Sequence, residues 1–240
     1  MIVPVWNGAE RLTSSLYALQ RLLDRQPYPT ELVVVDDCSD ADAERALDSV
    51  RRHAPVHVLR NDRNRGKGYS VARGMLAARG EMRVFTDADL AYPAGEIEAI
   101  VDALEKGSDV AVACRVLGES RYVMSPSFFP YLFTRHVLSR AFNAAVRALL
   151  LDDVLDTQAG LKGFTRRAAE LIFPRLTIGR FGFDVECLYI AQCHGQRVKQ
   201  VPVTFRYDDE PSTVNVLRDG AQMLSDLGRI RLNAWRGCYR

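Results

Sequence analysis

Asp87 and Asp89, two acidic residues separated by Ala88, are the part of the sequence best suited to chemistry. They follow an apolar run at residues 82–86 that has the composition of a β-strand. On an extended backbone, residues two apart point the same way, so both carboxylates can face one point. Such a pair suits a hard divalent cation that keeps coordination positions open for phosphate oxygens. A simple turn is the alternative, because Asp is common where strands stop.

The elements that must position this pair alternate regularly. We predict strands at residues 1–5, 31–37, 56–59, 82–86 and 109–114, with helices at 9–25, 40–53, 66–79 and 93–106 between and after them. This order predicts an α/β fold with a Rossmann-like, mostly parallel sheet and helices on both faces. Ligands of such sheets bind at the carboxyl ends of the strands. Asn7, Asp36, Asp37, residues 64–67 and the Asp87–Asp89 pair all follow strands, which predicts one shared site.

Composition and motifs exclude several classes of function. There is no Gly-x-Gly-x-x-Gly after the first strand and no P-loop, which argues against a dinucleotide enzyme and a P-loop NTPase. The net charge of +2 and the lack of a basic stripe argue against a nucleic-acid partner. The five scattered cysteines indicate reduced thiols in a cytosolic setting. Without a signal peptide or an apolar run of ~18 residues, we expect a soluble or peripheral protein.

The second half of the chain is less regular. We predict helices at 131–151, 183–193 and 214–234, a strand at 161–165 and an edge strand at 196–205 that contains Pro202. Helix 131–151 carries His136, Arg140 and Arg147 on one side, which is either a solvated basic face or a surface for anionic lipid. Residues 217–240 contain five Arg and two Asp. This basic segment is either a solvated tail or a contact with a membrane surface. We therefore expect one domain at 1–212, with halves at 1–115 and 116–212, followed by a helix and basic tail at 213–240. A buried first strand usually has a longer lead-in, so we also expect the N-terminus to have been trimmed.

Seven motifs in order resemble those of the A-fold inverting glycosyltransferases that place one sugar on a polyprenyl phosphate. This family contains dolichyl-phosphate and undecaprenyl-phosphate β-glucosyltransferases, with dolichyl-phosphate mannosyltransferase as a relative. The motifs lie at residues 3–7, 35–40, 64–68, 87–89, 115 with 120, 156–162 and 183–186. The chain departs from the family pattern at Trp6, which replaces Tyr, at Gly8 and Ala9, which replace Glu, and at Cys38, which replaces a turn Gly. No transmembrane helices follow, although many bacterial members have them.

The resemblance implies a role for each matching position. The residues that would contact the nucleotide-diphospho-sugar donor are Pro4, Trp6, Asn7, Asp36, Asp37, Lys67, Asp87 and Ala88. Asp87 and Asp89 would hold Mg²⁺ or Mn²⁺ against the diphosphate, although Asp87 could instead bond the ribose or act through water. Glucose from UDP-glucose is the expected sugar, because the motif at 156–162 resembles the glucosyl branch more than the mannosyl one.

The acceptor can be argued from acid–base chemistry. A sugar hydroxyl needs a general base, whereas a phosphate monoester has a second pKa near ~6 and is mostly dianionic at pH 7. Arg115, Arg121 and Arg135 could place such a phosphate, since Arg binds it with two parallel hydrogen bonds. We therefore predict a polyprenyl-phosphate acceptor, with Arg115 and Asp89 among the catalytic residues. Asp156 is predicted to be a base or to orient the donor sugar, and its alternative is a loop cap.

Other interpretations stay open at this point. The acceptor could be a saccharide hydroxyl, or the donor could be GDP-mannose. A nucleotidyltransferase would need a Gly-rich basic loop after the first strand, and residues 6–10 do not provide one. The acidic pair and Asp156 argue against a nucleotide-sugar sensor without activity. Asp184 and Glu186 fit structural and functional roles equally. We expect the protein to lie peripherally on the cytoplasmic face of a membrane.

Overall fold

The computed structural model describes the backbone of residues 1–124, 129–151, 153–207 and 216–240, and the side chains of these residues except 124, 129–138, 207 and 216–219. The strands are Ile2–Val5 (β1), Leu32–Asp36 (β2), Val56–Arg60 (β3), Met82–Thr86 (β4), Val110–Cys114 (β5), Arg121–Met124 (β6), Leu161–Thr165 (β7), Val198–Pro202 (β8) and Thr204–Tyr207 (β9). The α-helices are Ala9–Leu23 (α1), Ala41–His53 (α2), Lys67–Ala77 (α3), Ala94–Glu105 (α4), Phe129–Leu149 (α5), Arg166–Ile172 (α6), Phe183–Cys193 (α7) and Val216–Trp235 (α8). A 3-10 helix lies at Phe173–Arg175.

Seven strands form one sheet in the order β3-β2-β1-β4-β7-β5-β8. Every neighbouring pair is parallel except the two pairs that contain β7, which runs antiparallel to β4 and β5. The predicted mostly parallel α/β sheet is therefore confirmed. Because β2, β1 and β4 are adjacent and parallel, the loops that follow them meet at one edge, here called the carboxyl edge.

Alternating side chains of the strands pack into two hydrophobic cores, one on each face of the sheet. Ile2 and Val33 pack on the face covered by α3, α6 and α7, whereas Val3 and Val34 pack on the face covered by α1, α2 and α4. Successive residues of a strand point to opposite faces, so these near-continuous apolar strands must be covered on both sides. Helices cover both faces, as the sequence predicts.

The helix signals of the sequence have local physical causes. The leucines of α1 at positions 12, 16 and 19 recur with helical period and are all buried. Asp40 caps α2, where its side chain accepts a hydrogen bond from the backbone N–H of Ala43 at 2.9 Å. Asp40 is also the first residue of the predicted helix.

The predicted edge strand at 196–205 is wrong as one element. It divides into β8, which is the edge strand of the main sheet, and β9, which pairs with β6 in a two-stranded parallel ribbon. The division follows Pro202, the last residue of β8, and the N–H of Val203 donates to the Ser120 hydroxyl at 3.2 Å instead of continuing the ladder. Strand β6, helix α6 and the 3-10 helix were not predicted from the sequence. Residues 125–128, 152 and 208–215, which include the predicted start of the last helix at 214, lie outside the described part.

The last helix packs on the domain. Leu227 and Ile230 of α8 belong to the core on the α3 face, and so does Tyr239 near the C-terminus. The Tyr239 hydroxyl donates to Glu186 at 2.7 Å. Residues 226–239 therefore complete one of the two cores.

Candidate active site

Hydrogen bonds between loops join the ends of β1 and β2. The backbone N–H of Asn7 donates to the hydroxyl of Ser39 at 2.8 Å, and the N–H of Asp40 donates to the Asn7 side-chain oxygen at 2.9 Å. Trp6 lies beside this junction and is 55% exposed. An exposed indole at the carboxyl edge is available to stack on a planar ring. Pro4 lies within β1, opposite Val35 of β2.

Asp36 and Asp37 are buried and bonded to protein groups. Asp36 accepts from the backbone N–H of Ser39 at 2.9 Å and from the guanidinium of Arg60 at 2.7 Å. Asp37 accepts from the Asn61 side chain at 2.7 Å and from the N–H groups of Arg65 and Gly66 at 2.8 and 2.7 Å. Asp37 therefore holds the loop that leads into α3. Each carboxylate oxygen can accept two hydrogen bonds, so contact of these residues with a nucleobase stays a prediction.

Three non-glycine residues at this edge have left-handed backbone conformations. Asn7, Cys38 and Leu90 have φ angles of 59°, 60° and 51°. They follow β1, β2 and β4 respectively. Residues other than Gly adopt this conformation at a cost, and such positions cluster at functional sites. The turn Gly that Cys38 replaces would carry no such cost.

The acidic pair lies where a cation could reach it. Asp89 is exposed, and its carboxylate accepts the N–H of Ala91 at 3.1 Å. Asp87 forms an ion pair with Lys67 whose Nζ lies 2.6 Å from its Oδ1. Gly160 lies so close that a Cβ built on it would overlap the Asp87 carboxylate. Within the part of the chain that the structure describes, no group of three His, Cys, Asp or Glu side chains could hold a metal ion. A cation held by the two carboxylates would have to take its remaining ligands from a diphosphate and water.

A buried network of charges lies behind the acidic pair. Lys162 of β7 is completely buried, donates to the carbonyl oxygen of Ala159 at 2.7 Å and forms a short ion pair with Asp184. Burial raises the pKa of the Asp184 carboxyl above its ordinary value, although Lys162 and Lys67 oppose that change. Burial alone would lower the pKa of Lys67, but Asp87 and Asp184 raise it, so Lys67 is charged. Lys67 therefore interacts electrostatically with both Asp87 and Asp184.

Arg115 and Asp156, predicted to serve the acceptor, form one ion pair. The guanidinium donates from Nε at 2.7 Å and from Nη2 at 2.9 Å, and the backbone N–H of Arg115 donates to the same carboxylate at 3.0 Å. Burial acts to raise the pKa of the Asp156 carboxyl, but Arg115 outweighs burial and the pKa lies below its ordinary value. A carboxylate held in this way is a weak base, because proton uptake would break three hydrogen bonds.

Aromatic side chains cover this ion pair. The Arg115 guanidinium lies 5.4 Å from the ring centroid of Phe205 in β9, and Tyr92 packs edge-on against the same ring at 5.2 Å. Tyr122 of β6 meets Phe205 at 6.2 Å. The β6–β9 ribbon therefore places an apolar wall over Arg115.

The other predicted phosphate ligands lie in β6 and α5. Arg121 begins β6 and is exposed. Arg135 lies in α5, but its side chain is outside the described residues. Arg140, further along α5, is exposed and close enough to Tyr122 to affect that hydroxyl's pKa. Asn143 of α5 accepts the N–H and the hydroxyl of Thr157 at 3.0 and 2.9 Å, which couples α5 to the Asp156 loop.

Asp184 and Glu186 have different environments. Asp184 joins the charge network next to Lys67, whereas Glu186 accepts the N–H groups of Thr177 and Ile178 at 2.9 Å and the Tyr239 hydroxyl. Glu186 therefore has a structural role: it binds the C-terminal segment and the loop before α7.

Lys162, Tyr92 and Phe205 were not among the site residues predicted from the sequence. A signal existed for Lys162, because a Lys inside an otherwise apolar buried strand requires a charged partner. Tyr92 and Phe205 had no such signal. They are far apart in sequence, and only the folded chain brings them together at Arg115.

Comparison with known proteins identifies the family of the chain. The family model described as Glycosyl transferase family 2 matches residues 1–173. The dolichyl-phosphate beta-glucosyltransferase of Mus musculus is 34% identical over 256 residues, which cover 100% of this chain and 76% of that protein. The enzymes of the same name from Dictyostelium discoideum and Homo sapiens are 31% and 32% identical, again over 100% of this chain and 76% of each relative.

Solved structures share the fold. The glucosyl-3-phosphoglycerate synthase of Mycobacterium tuberculosis in complex with UDP superposes with a TM-score of 0.70 at 20% identity, over 96% of this chain and 78% of that one. The same synthase with Mn²⁺, UDP and glucosyl-3-phosphoglycerate superposes with a TM-score of 0.59 at 19% identity, over 99% and 78% of the two chains. At this identity the likeness concerns the fold, which is that of the A-type glycosyltransferases. With a family match over residues 1–173 and relatives above 30% identity over the whole of this chain, the chain belongs to glycosyl transferase family 2.

Proposed function

We propose that this enzyme transfers glucose from UDP-glucose to the phosphate of a polyprenyl phosphate, with inversion to a β-linked product. The observation that carries the acceptor assignment is the ion pair of Asp156 with Arg115. Because Arg115 lowers the pKa of the Asp156 carboxyl, Asp156 is a weak base. A phosphate oxygen is already ionised at pH 7 and needs no base. The relatives named dolichyl-phosphate beta-glucosyltransferase support the same acceptor and sugar.

The donor would lie along the carboxyl edge. The exposed Trp6 would stack on uracil, and the diphosphate would extend towards Asp87 and Asp89. Mg²⁺ or Mn²⁺ bound by these carboxylates would neutralise charge on the departing nucleoside diphosphate. Lys67, beside Asp87, would contact the same phosphates.

The acceptor phosphate would lie on the other side of the donor sugar. The bond to Asp156 engages Nε and Nη2 of Arg115, so Nη1 is proposed to bind a phosphate oxygen. Asp156 then acts as a positioning residue that fixes the guanidinium plane. Arg121 and Arg135 would add charge along the path of the phosphate. Phe205 and Tyr122 would face the first isoprene units.

Membrane contact is proposed for the outer face of α8. Leu224, Leu232 and Trp235 are 54%, 41% and 86% exposed, and the exposed Arg229 and Arg231 lie among them. Among the helices that the structure describes, none has both the length and the apolar composition of a membrane span. Apolar anchors among basic residues suit a surface with anionic lipids, so we propose peripheral binding at the cytoplasmic face.

The assay follows glucose from UDP-glucose onto undecaprenyl or dolichyl phosphate in the presence of Mn²⁺. We expect a β-linked lipid product, identified by NMR, that depends on the metal and on the lipid phosphate. The unphosphorylated polyprenol, a simple saccharide acceptor and GDP-mannose are the comparison substrates. Asp89→Asn should lower turnover by about 100-fold or more. Transfer to the saccharide but not to the lipid phosphate would reject the proposed acceptor, and preference for GDP-mannose would reject the proposed donor.

A further inference from the structure

We propose that the ammonium group of Lys67 pairs with the Asp87 carboxylate until the metal and the donor bind together. The ammonium group then moves to the diphosphate of the donor. A divalent cation and the sugar nucleotide would therefore bind cooperatively. The inference rests on the proposed function, because it concerns the same donor site.

The contact geometry supports this exchange. Lys67 Nζ lies 2.6 Å from Asp87 Oδ1, and both side chains are partly exposed, at 21% and 32%. A cation that binds Asp87 through this oxygen meets the positive charge of the ammonium group at close range, and this repulsion favours displacement of the ammonium group. Asp89 also acts electrostatically on Lys67, so Lys67 lies within the field of both proposed metal ligands. A metal ion and Lys67 thus compete for one carboxylate.

The exchange would need movement of the Lys67 side chain alone. Its backbone begins α3, directly after Gly66, whose N–H is held by Asp37 at 2.7 Å. The next residue, Gly68, lies so close to Phe183 that a Cβ would come within 2.6 Å of it. The base of the side chain is therefore fixed by packing on both sides. The ammonium group can swing from Asp87 to a phosphate without movement of the helix.

Charge balance explains why neither ligand should bind well alone. The network behind Asp87 contains the buried pair of Lys162 and Asp184, and uncompensated charge is costly in such surroundings. A divalent cation alone adds two positive charges, and UDP-glucose alone adds two negative charges at its diphosphate. The two together leave the local net charge unchanged. Lys67 adds to this coupling because it repels the metal when the diphosphate is absent.

The test measures Mn²⁺ binding by the EPR signal of free Mn²⁺, with and without UDP-glucose and without acceptor. Lys67→Met should bind Mn²⁺ about tenfold more tightly than the wild type when UDP-glucose is absent, and UDP-glucose should then improve Mn²⁺ binding much less. Lys67→Arg should retain the wild-type dependence on UDP-glucose. Lys106→Met is the matched control, since Lys106, directly after α4, also pairs with an aspartate at 2.7 Å but on the exposed surface. It should behave as the wild type.

Two outcomes separate this inference from the proposed function. If Lys67→Met, or Lys67→Gln should the first variant fail to fold, binds Mn²⁺ no better than the wild type while UDP-glucose still binds with Mn²⁺, only the role of Lys67 is overturned. If the wild type does not bind UDP-glucose at any Mn²⁺ concentration, the proposed donor is wrong as well.

Discussion

The ion pair of Asp156 and Arg115 shows how the partner of a residue decides its chemistry. The carboxylate is 2% exposed and accepts three hydrogen bonds from Arg115. The pair also joins the two predicted roles, base and phosphate ligand, in one unit. Substitution of either residue disturbs the other, so single variants of this pair cannot distinguish a hydroxyl acceptor from a phosphate acceptor. The comparison of acceptor substrates makes that distinction.

Asp156→Asn should destabilise the protein markedly. Loss of Asp156 leaves a guanidinium that is only 21% exposed without its counter-ion; breaking a fully buried pair costs about 3–5 kcal/mol, and we expect the lower end of that range. Urea unfolding at pH 7 measures this cost. Asp102→Asn is the control, because its pair with Lys106 is exposed and should contribute less than about 1 kcal/mol. Equal effects of the two substitutions would contradict the structural importance of the buried pair.

The same pair predicts a dependence on pH. The folded pKa of Asp156 lies below its unfolded value of about 3.9, so the pair's contribution is complete above that value and is lost as pH falls through the folded pKa. The difference in unfolding free energy between the wild type and Asp156→Asn should therefore be constant from pH 7 to about pH 5 and shrink below about pH 4. If the difference in unfolding free energy grew on acidification, the folded pKa of Asp156 would lie above its unfolded value, contrary to this prediction.

Replacement of Cys38 by Gly should stabilise the folded protein. The φ of 60° at Cys38 costs an L-residue about 1 kcal/mol or more, and Gly removes most of that cost. After the extra entropy of Gly in the unfolded chain, we expect Cys38→Gly to raise the unfolding free energy by about 0.5 kcal/mol. Cys38→Ala keeps the unfavourable φ and should give no gain. Urea unfolding of both variants tests whether the change in unfolding free energy comes from the backbone conformation and not from loss of the thiol.

At the scale of elements, the antiparallel strand β7 brings the second half of the chain to the acidic pair. Its pairing with β4 places Leu161 opposite Thr86, immediately before Asp87. Gly160 therefore lies against the Asp87 carboxylate, and Lys162 enters the core behind it. The insertion of β7 between β4 and β5 joins the two halves of the site.

Gly160→Ala should impair donor binding more than stability. The new methyl group would overlap the Asp87 carboxylate and push it from its position. We expect at least a tenfold loss of kcat/KM, since a misplaced carboxylate at a metal site typically costs about 10- to 100-fold. Gly95→Ala in α4 is the control, because no atom lies within 4 Å of a Cβ built there. Unchanged activity of Gly160→Ala would show that Asp87 can move without loss.

At the scale of the whole molecule, α8 has two different faces. Leu227 and Ile230 point into the core, whereas Leu224 and Trp235, separated by about three helical turns, are exposed on the outside. Burial of the inner face anchors the helix to the domain. Leu224 and Trp235 keep most of their surface exposed, which suits the lipid contact proposed for this face.

Trp235→Ser should weaken binding to vesicles. With vesicles of phosphatidylcholine and phosphatidylserine, we expect a loss of about tenfold in partitioning by flotation, and weaker binding of the wild type at high salt. Leu76→Ser is the control, since Leu76 is 45% exposed on α3. If both variants bind as the wild type does, the outer face of α8 is not the membrane contact.

The sequence by itself determined the mostly parallel sheet, the position of the acidic pair at a strand end and the family, because these depend on hydrophobic period and short motifs. Local patterns could not determine which charges meet. Asp156 and Arg115 lie 41 positions apart, and Lys162 and Asp184 lie 22 apart. The antiparallel insertion of β7, the split of the predicted edge strand and the packing of α8 also depend on contacts between distant segments. The tertiary structure therefore decided how the charged groups are paired, since pairing depends on distance in space and not in sequence.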